Sequence, residues 1–287
     1  MDDPDTRVSA PGLDDLIGQE MVVRNLRRAV RAAVGRGEPL GHVLLCGPAG
    51  LGKTSFARAV AAELGRGCRT VLGPFVSEPD ELARHIAEVP AGGVLFIDEV
   101  HRLPVRAAES LYVAMEAARI TIIGATTDSA MLPPAFRSRF AIRQDLEHYT
   151  TAQLTAILHR DATRLAVAID DDAALVLATA SRDTPREALA LLAAARDEAQ
   201  LGGATSIGAV MAHEVLRSLG IDEQGLHRVQ REILRTLRES HGSLGLGTLA
   251  DCLGLTRTEL LTVHEPFLVR RGLIERTRRG RAIRSAR

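Results

Sequence analysis

The 287-residue chain has few aromatic residues, few cysteines and no long apolar run. Aromatic residues make up 3% of it and Trp is absent, so its cores must consist of Leu, Ala, Val and Ile, a composition that favours helices. The three cysteines are scattered and, like the nine histidines, show no metal-ligand spacing, so we assign no protein-only metal site and expect reduced thiols. No apolar run approaches the roughly 18 residues of a membrane span, and the N-terminal segment is acidic. We therefore expect a cytoplasmic protein that contacts no membrane.

Basic and acidic residues are equal in number, 36 each, so any affinity for nucleic acid must come from local patches. The hydrophobic content of 46% and the charged content of 25% are typical of globular proteins. A chain of this length can form two or three packed units.

Lys53 is the only lysine of the chain, and it lies in the segment GPAGLGKTS at 47–55. The spacing G-x-x-x-x-G-K-[ST] is typical of a P-loop, in which backbone amides bind the α- and β-phosphates, the lysine reaches the β- and γ-oxygens, and the Thr54 hydroxyl ligates Mg²⁺. The apolar run at 43–46 predicts the preceding strand, and the amphipathic pattern at 54–64 predicts the following helix. A glycine turn without a ligand is the alternative, which this context disfavours. We predict that a nucleoside triphosphate contacts Gly47, Gly50, Leu51, Gly52, Lys53, Thr54 and Ser55.

Two further strand patterns end in polar side chains. The run VLFIDE at 94–99 ends in Asp98, expected to hold the Mg²⁺ shell, and Glu99, expected to polarise an attacking water as general base. The run ITIIGATT at 120–127 ends in hydroxyls, of which Thr127 is expected to contact the γ-phosphate or to orient water, because ligands lie at the carboxyl ends of strands in open α/β sheets. Alone, each pattern would more often be a solvated strand end or a helix cap. His101 is expected to pack or hydrogen-bond under the carboxylates rather than to act in catalysis.

Two arginines are candidates for contact with phosphate. Arg139, in PAFRSRF at 134–140, fits an arginine finger that reaches the γ-phosphate of a neighbouring subunit, and a surface salt bridge is equally compatible with the sequence. Arg186 follows Thr184 and Pro185 at a predicted helix start, where a cation opposes the helix dipole. Such a position indicates an anionic partner, here phosphate.

The order of the patterns predicts three domains. Strand-like runs at 43–46, 70–71, 94–97 and 120–124 alternate with helical patterns, which indicates a parallel sheet between helices. Helical patterns alone fill 150–219. We therefore predict an α/β fold with a large nucleotide-binding domain at 1–146, an all-helical lid at 147–219 and a winged-helix domain at 220–287.

The tail pattern is typical of a winged helix. The first helix of a helix-turn-helix is predicted at 246–253, the turn at Gly254 and the recognition helix at 256–269. Residues 270–287 include eight arginines and one glutamate, and if about half of these arginines meet phosphates, log K should fall by about 3–4 per decade of salt. A protein–protein module is the alternative. DNA contact is predicted for Arg270, Arg271, Arg276, Arg278, Arg279 and Arg281.

These motifs, in this order, resemble the AAA+ ATPases and most closely the RuvB family of bacterial Holliday-junction branch-migration motors. The resemblance spans about 13–284 and rests on IGQ at 17–19, GPAGLGKTS, LFIDEVHRL, GATT, RSRF, DTPR at 183–186 and EPFL at 265–268. It implies that Thr127 is sensor 1, Arg139 the finger acting in trans and Arg186 sensor 2, and that Tyr149 and Ile17 line the adenine site. It also implies ATP and Mg²⁺ as cofactors, duplex or branched DNA as a partner, and a homo-oligomer in the form of a hexameric ring or a helical assembly.

One element of the resembled family is missing from the sequence. In RuvB-like chains a β-hairpin that docks RuvA, the junction-binding partner, follows the helix equivalent to 109–116, whereas here 115–119 runs directly into 120–122. The resemblance therefore predicts an ATPase that acts on DNA without this means of coupling to RuvA. Two alternatives stay open: an ATP-dependent adaptor or loader that recruits another enzyme, and a winged-helix regulator that binds a specific sequence.

Overall fold

The computed structural model describes residues 12–240 and 242–284. The chain divides into two compact units. One holds the chain up to Gln153 together with Thr184–Arg186, and the other holds Leu154–Asp183 and the chain from Glu187 onward. None of the described helices is both long and apolar enough to cross a membrane.

The first unit is built on a sheet of five parallel strands. Its strands are β1 Val43–Cys46, β2 Cys68–Leu72, β3 Val94–Asp98, β4 Thr121–Thr126 and β5 Ile142–Asp145. Because β1, β3 and β4 are buried over nearly their whole length, they form the centre of the sheet, with helices over both faces. The strand order β2-β3-β4-β1-β5 places the carboxyl ends of β3, β4 and β1 side by side at one edge.

Helices pack on this sheet and fix the positions of its strand ends. They are α1 Glu20–Arg36, α2 Lys53–Glu63, α3 Pro79–Ala87, α4 Val105–Ala117 and α5 Pro134–Arg137. One core cluster joins Leu95 and Ile97 of β3 to Ile122 of β4 and to Phe136 and Phe140. Burial of each such side chain stabilises the fold by about 1.5–3 kcal/mol. The core therefore holds the ends of β3 and β4 in place, and with them the polar residues that follow these strands.

Four helices follow, mostly within the second unit, as the lid prediction requires. They are α6 Thr151–Arg164, α7 Asp171–Ala180, α8 Pro185–Leu201 and α9 Ala209–Ser218. A pair of two-residue parallel strands, β6 Ala168–Ile169 and β7 Ser206–Ile207, accompanies them. The prediction of helices alone over 150–219 was wrong for these four residues, because strands of two residues are too short to show an alternating pattern.

The C-terminal part of the second unit is a winged helix, as predicted. It consists of α10 Arg228–Glu239, α11 Leu246–Leu253, α12 Arg257–Glu259, α13 Glu265–Arg270 and the antiparallel hairpin of β8 Ile274–Thr277 and β9 Gly280–Ile283. Gly254 ends α11 with a φ of 64°, a left-handed conformation that favours glycine and turns the chain toward α12.

The predicted recognition helix at 256–269 contains an irregular turn. A π-helical segment, Leu260–His264, joins α12 to α13. Pro266 lacks an N–H for the carbonyl four residues earlier and its ring would clash there, and a wider turn relieves both effects. The carbonyls of Val263 and His264 accept hydrogen bonds from Arg182 at 3.5 Å and from Gln230 at 3.3 Å.

Candidate nucleotide site

The loop between β1 and α2 has the backbone that its glycines predict. Gly47, Gly50 and Gly52 have φ values of 143°, 83° and 90°, in the range that favours glycine. At Gly47 there is also no room for a side chain, because a Cβ would lie 2.8 Å from the carbonyl oxygen of Leu146. The glycine spacing of the motif therefore has a direct structural reason in this loop.

Lys53 begins α2 and is the charged centre of the loop. Its ammonium donates hydrogen bonds of 2.7 and 2.9 Å to the carbonyl oxygens of the first two loop residues. Burial lowers the pKa of Lys53, the Glu99 and Asp98 carboxylates oppose this effect, and the Arg186 guanidinium adds to it. Charged groups from two other motifs, VLFIDE and DTPR, therefore lie close enough to interact with this one lysine.

The two carboxylates lie at the end of β3. Asp98 is its last residue, and its Oδ1 accepts a hydrogen bond of 3.0 Å from the backbone N–H of Glu99. Glu99 has a left-handed backbone with a φ of 50°. Its carbonyl faces Gly73, where a Cβ would lie only 2.6 Å from the Glu99 oxygen. Gly73, which the sequence analysis did not single out, therefore leaves the space that this turn occupies.

The Glu99 side chain is held by hydroxyl and imidazole groups. Thr127 donates a hydrogen bond of 3.0 Å from Oγ1 to Glu99 Oε2. The Nδ1 atom of the partly buried His101 lies 3.3 Å from the same oxygen and 2.9 Å from Thr126 Oγ1. The prediction that His101 hydrogen-bonds beside the carboxylates is confirmed, and Glu99 and Thr127 are brought into direct contact.

Arg186 and Tyr149, which were also predicted around the nucleotide, adjoin the loop. The Arg186 backbone N–H donates a hydrogen bond of 3.3 Å to the Gly50 carbonyl. The Tyr149 hydroxyl donates one of 3.3 Å to the Leu51 carbonyl. The Tyr149 ring also packs on Gly18, next to Ile17, where a Cβ would lie 2.9 Å from the ring. Thr54 and Ser55 lie in the first turn of α2.

Comparison with known proteins identifies the family of the chain. Models of the RuvB P-loop domain of Holliday junction DNA helicases, the RuvB AAA lid domain and the RuvB C-terminal winged-helix domain match residues 9–122, 149–222 and 223–286. The Holliday junction branch migration complex subunit RuvB of Fervidobacterium nodosum is 41% identical over 291 residues, covering 94% of this chain and 84% of the relative. The corresponding subunit of Corynebacterium aurimucosum is 40% identical over 296 residues, covering 96% and 82%.

A solved structure gives the same result. The RuvB Holliday junction branch migration motor of Thermotoga maritima is 40% identical, with a TM-score of 0.84 over 96% of this chain and 95% of that chain. The chain belongs to the RuvB family. The predicted architecture of an AAA+ parallel-sheet domain, a lid and a winged helix is thereby confirmed, and the site described above is that of a P-loop ATPase family.

Arg139 of this RuvB-family chain is held by three contacts at one end of the sheet unit. Its guanidinium lies over the Tyr112 ring, 4.3 Å from the centroid. It also donates hydrogen bonds of 2.9 Å to the Ala135 carbonyl and 3.1 Å to the Glu116 carboxylate. Tyr112 and Glu116 lie on α4, and neither was singled out from the sequence. An aromatic face and a carboxylate restrict the directions that this long side chain can take.

The wing arginines differ in their surroundings. Arg276 and Arg281 both pair with Glu265, which is 0% exposed, and the Arg281 Nε lies 2.9 Å from its carboxylate. Arg278 and Arg279, at the turn between β8 and β9, are exposed and make no ion pair with any residue that the structure describes. The winged helix of this RuvB relative therefore presents two unengaged cations at the tip of its wing.

Proposed function

We propose that the chain is an ATP-hydrolysing motor that translocates branched or duplex DNA as a homo-oligomer. The observation that carries the proposal is the contact of Glu99 with Thr127 beside the Lys53 loop, in a chain that matches RuvB over nearly its whole length. The Holliday junction branch migration named for the relatives supports DNA as the polymer on which the motor acts.

The loop and its neighbours supply the binding of ATP. In this proposal the backbone amides of 47–55 and the Lys53 ammonium bind the phosphates, while Tyr149 and Ile17 line the adenine. Thr54 and Asp98 would hold Mg²⁺, since hydroxyl and carboxylate oxygens are its preferred protein ligands. When bound, the ion would neutralise charge on the β- and γ-phosphates.

Hydrolysis is assigned to the groups at the ends of β3 and β4. Glu99 accepts a proton from the attacking water as general base. Thr127 and His101 restrict the carboxylate to one direction, which lowers the entropy lost when the water is aligned. Arg186, whose charge affects the pKa of Lys53, would contact the phosphates bound at the loop.

Arg139 is proposed to complete the site of a neighbouring subunit, which makes assembly a condition of turnover. A cation that approaches the γ-phosphate stabilises the charge of the transition state and is worth about 10³–10⁵ in rate. Its contacts with Tyr112 and Glu116 support a side chain preorganised at the surface of the unit. A hexameric ring or a helical assembly would satisfy this requirement.

DNA binding is assigned to the winged helix, with its wing arginines against phosphates. We also propose that the motor does not use a hairpin between α4 and β4 to dock a RuvA-type partner. This part is supported by the short connection of residues 118–120, all of them described, between Ala117 and Thr121. The named relatives are subunits of a branch migration complex, so a partner that docks elsewhere is compatible with the proposal.

The test compares ATP hydrolysis without DNA, with duplex, with single strands and with a four-way junction, while oligomer size is followed in parallel. We expect hydrolysis to rise with a junction or duplex and with assembly, and a labelled junction to be branch-migrated. Hydrolysis and assembly without junction movement would favour the adaptor or loader. Tight binding of one duplex sequence alone would favour the regulator. A monomer that is inactive with every DNA would refute the proposal.

A further inference from the structure

The turn between α7 and α8 has an unfavourable backbone. Arg182 and Asp183 are consecutive left-handed residues, with φ values of 57° and 63°. Residues other than glycine rarely adopt this region, and two in succession persist only where the surroundings fix them. The turn must therefore be held by its neighbours in the second unit.

The end of the recognition helix holds this turn. Arg270 donates hydrogen bonds of 3.0 Å to the Arg182 carbonyl and 3.2 Å to Asp183 Oδ2. Arg271 Nη1 lies 3.6 Å from Asp183 Oδ1. The Asp183 carboxylate is 19% exposed, so two arginines on successive residues neutralise one largely buried anion.

An aromatic ring packs against the arginines of this turn and of the helix end. The guanidinium carbons of Arg182, Arg270 and Arg271 lie 4.9, 5.4 and 5.6 Å from the centroid of the buried Phe267 ring. Three cations around one ring repel each other, and Asp183 is the carboxylate that pairs with two of them. Loss of its charge would remove the carboxylate that pairs with Arg270 and Arg271 and would release the turn.

The turn leads directly into a residue of the nucleotide site. Thr184 and Pro185 alone separate Asp183 from Arg186, and Thr184 is buried. Pro185 has a fixed φ, so little freedom remains between the held aspartate and the arginine. Arg186 in turn hydrogen-bonds the Gly50 carbonyl of the P-loop.

We propose that Asp183 is a positioning residue, which pairs with Arg270 and Arg271 at the end of the recognition helix and thereby fixes Arg186 against the P-loop. Arg270 and Arg271 then serve as partners of Asp183 rather than as DNA contacts. The inference rests on the proposed function, because it concerns the affinity of the same site for ATP.

The test is the affinity of Asp183→Asn for a fluorescent ATP analogue, measured without DNA, together with KM and kcat for ATP. Asparagine tolerates the left-handed backbone but removes the charge. We expect Kd and KM to rise about tenfold, the effect of losing one charge-assisted contact, while kcat changes less. The matched control is Asp161→Asn, because Asp161 is 17% exposed and pairs with Arg160 and Arg164 in the same unit. The control should leave Kd and KM unchanged.

Equal Kd values for Asp183→Asn and Asp161→Asn would overturn the inference, as would a loss of DNA affinity in Asp183→Asn with normal nucleotide binding. If Asp183→Asn does not fold, Arg270→Gln is measured in its place. We expect the same rise in Kd for the ATP analogue, and a Kd equal to that of Asp161→Asn would again overturn the inference. Nucleotide binding by the wild-type protein is measured first. Its absence refutes the proposed function, whereas normal wild-type binding with an unchanged variant refutes only the positioning role.

Discussion

The Thr127 hydroxyl donates a hydrogen bond of 3.0 Å to the carboxylate of Glu99, which joins the residue after β4 to the residue after β3. The two residues are 28 positions apart in sequence, and they meet because β3 and β4 pair in parallel, with Ile97 opposite Gly124. A carboxylate aimed in this way has fewer orientations to lose when it engages water. Thr127 therefore has a testable role that does not depend on contact with phosphate.

Replacing Thr127 with Val tests this role, because valine keeps the shape of the side chain and removes the hydroxyl. A hydrogen bond to a charged group contributes about 1.5–3 kcal/mol, so kcat should fall about tenfold to a hundredfold. Thr127→Ser, which keeps the hydroxyl, should retain most of the activity. Wild-type activity in Thr127→Val, measured by steady-state ATP hydrolysis, would show that the hydrogen bond is not important for turnover.

Replacing Glu99 with Gln tests the general base. The amide keeps the size of the side chain but cannot accept the proton, so kcat should fall by about 10²–10⁴ while ATP stays bound. Binding of a fluorescent ATP analogue and single-turnover hydrolysis separate the two effects. A variant that hydrolyses ATP at the wild-type rate would contradict the assignment of Glu99.

The sequence predicted those residues of the site that belong to short motifs of neighbouring residues. Lys53 follows a glycine spacing that only one backbone conformation satisfies, and Asp98 follows an apolar run that must be a buried strand. By contrast, β5 has the sequence IRQD and is only half-buried at the edge of the sheet, so it lacks a continuous apolar signal.

The residues that the sequence did not predict act through distant neighbours. Gly73 matters because β2 and β3 pair, which brings it against the Glu99 carbonyl. Asp183 is held by Arg270, which is 87 positions away. No local pattern distinguishes such a glycine or aspartate from those in ordinary turns, because the contact is set by the packing of elements rather than by spacing along the chain.

Replacing Gly73 with Ala tests the space beneath the carboxylates. The new Cβ would lie 2.6 Å from the Glu99 carbonyl oxygen and 3.1 Å from that of Asp98, so the turn must move. We expect a loss of about 1–3 kcal/mol in the free energy of unfolding and a lower kcat. Gly67→Ala is the control, since a Cβ there meets nothing within 4 Å. Thermal unfolding and ATP hydrolysis should separate the two variants, and similar behaviour would refute the steric argument.

Mixing two inactive variants tests whether Arg139 acts in trans. Arg139→Ala should lose about 10³–10⁵ of the turnover rate if the finger assignment holds. Mixed with Glu99→Gln, it should regain part of the activity, because some interfaces then join an intact Glu99 to an intact Arg139. Mixtures that remain inactive while still assembling would indicate that both residues serve the same subunit. Unchanged turnover in Arg139→Ala alone would exclude the finger.

Replacing Arg278 and Arg279 together with Gln tests the wing as the DNA contact. These two cations have no ion pair within the described chain, so their removal should leave thermal unfolding unchanged. The fall of log K for DNA binding per decade of salt should become smaller by about 2. Arg281→Gln provides the contrast. It removes one partner of the buried Glu265 carboxylate and should cost up to about 3 kcal/mol of stability, with Arg276 left to compensate in part. If the double variant of Arg278 and Arg279 keeps the wild-type salt dependence, DNA is bound by another surface. If Arg281→Gln is as stable as the wild type, the ion pair between Arg281 and Glu265 is not needed to hold the wing.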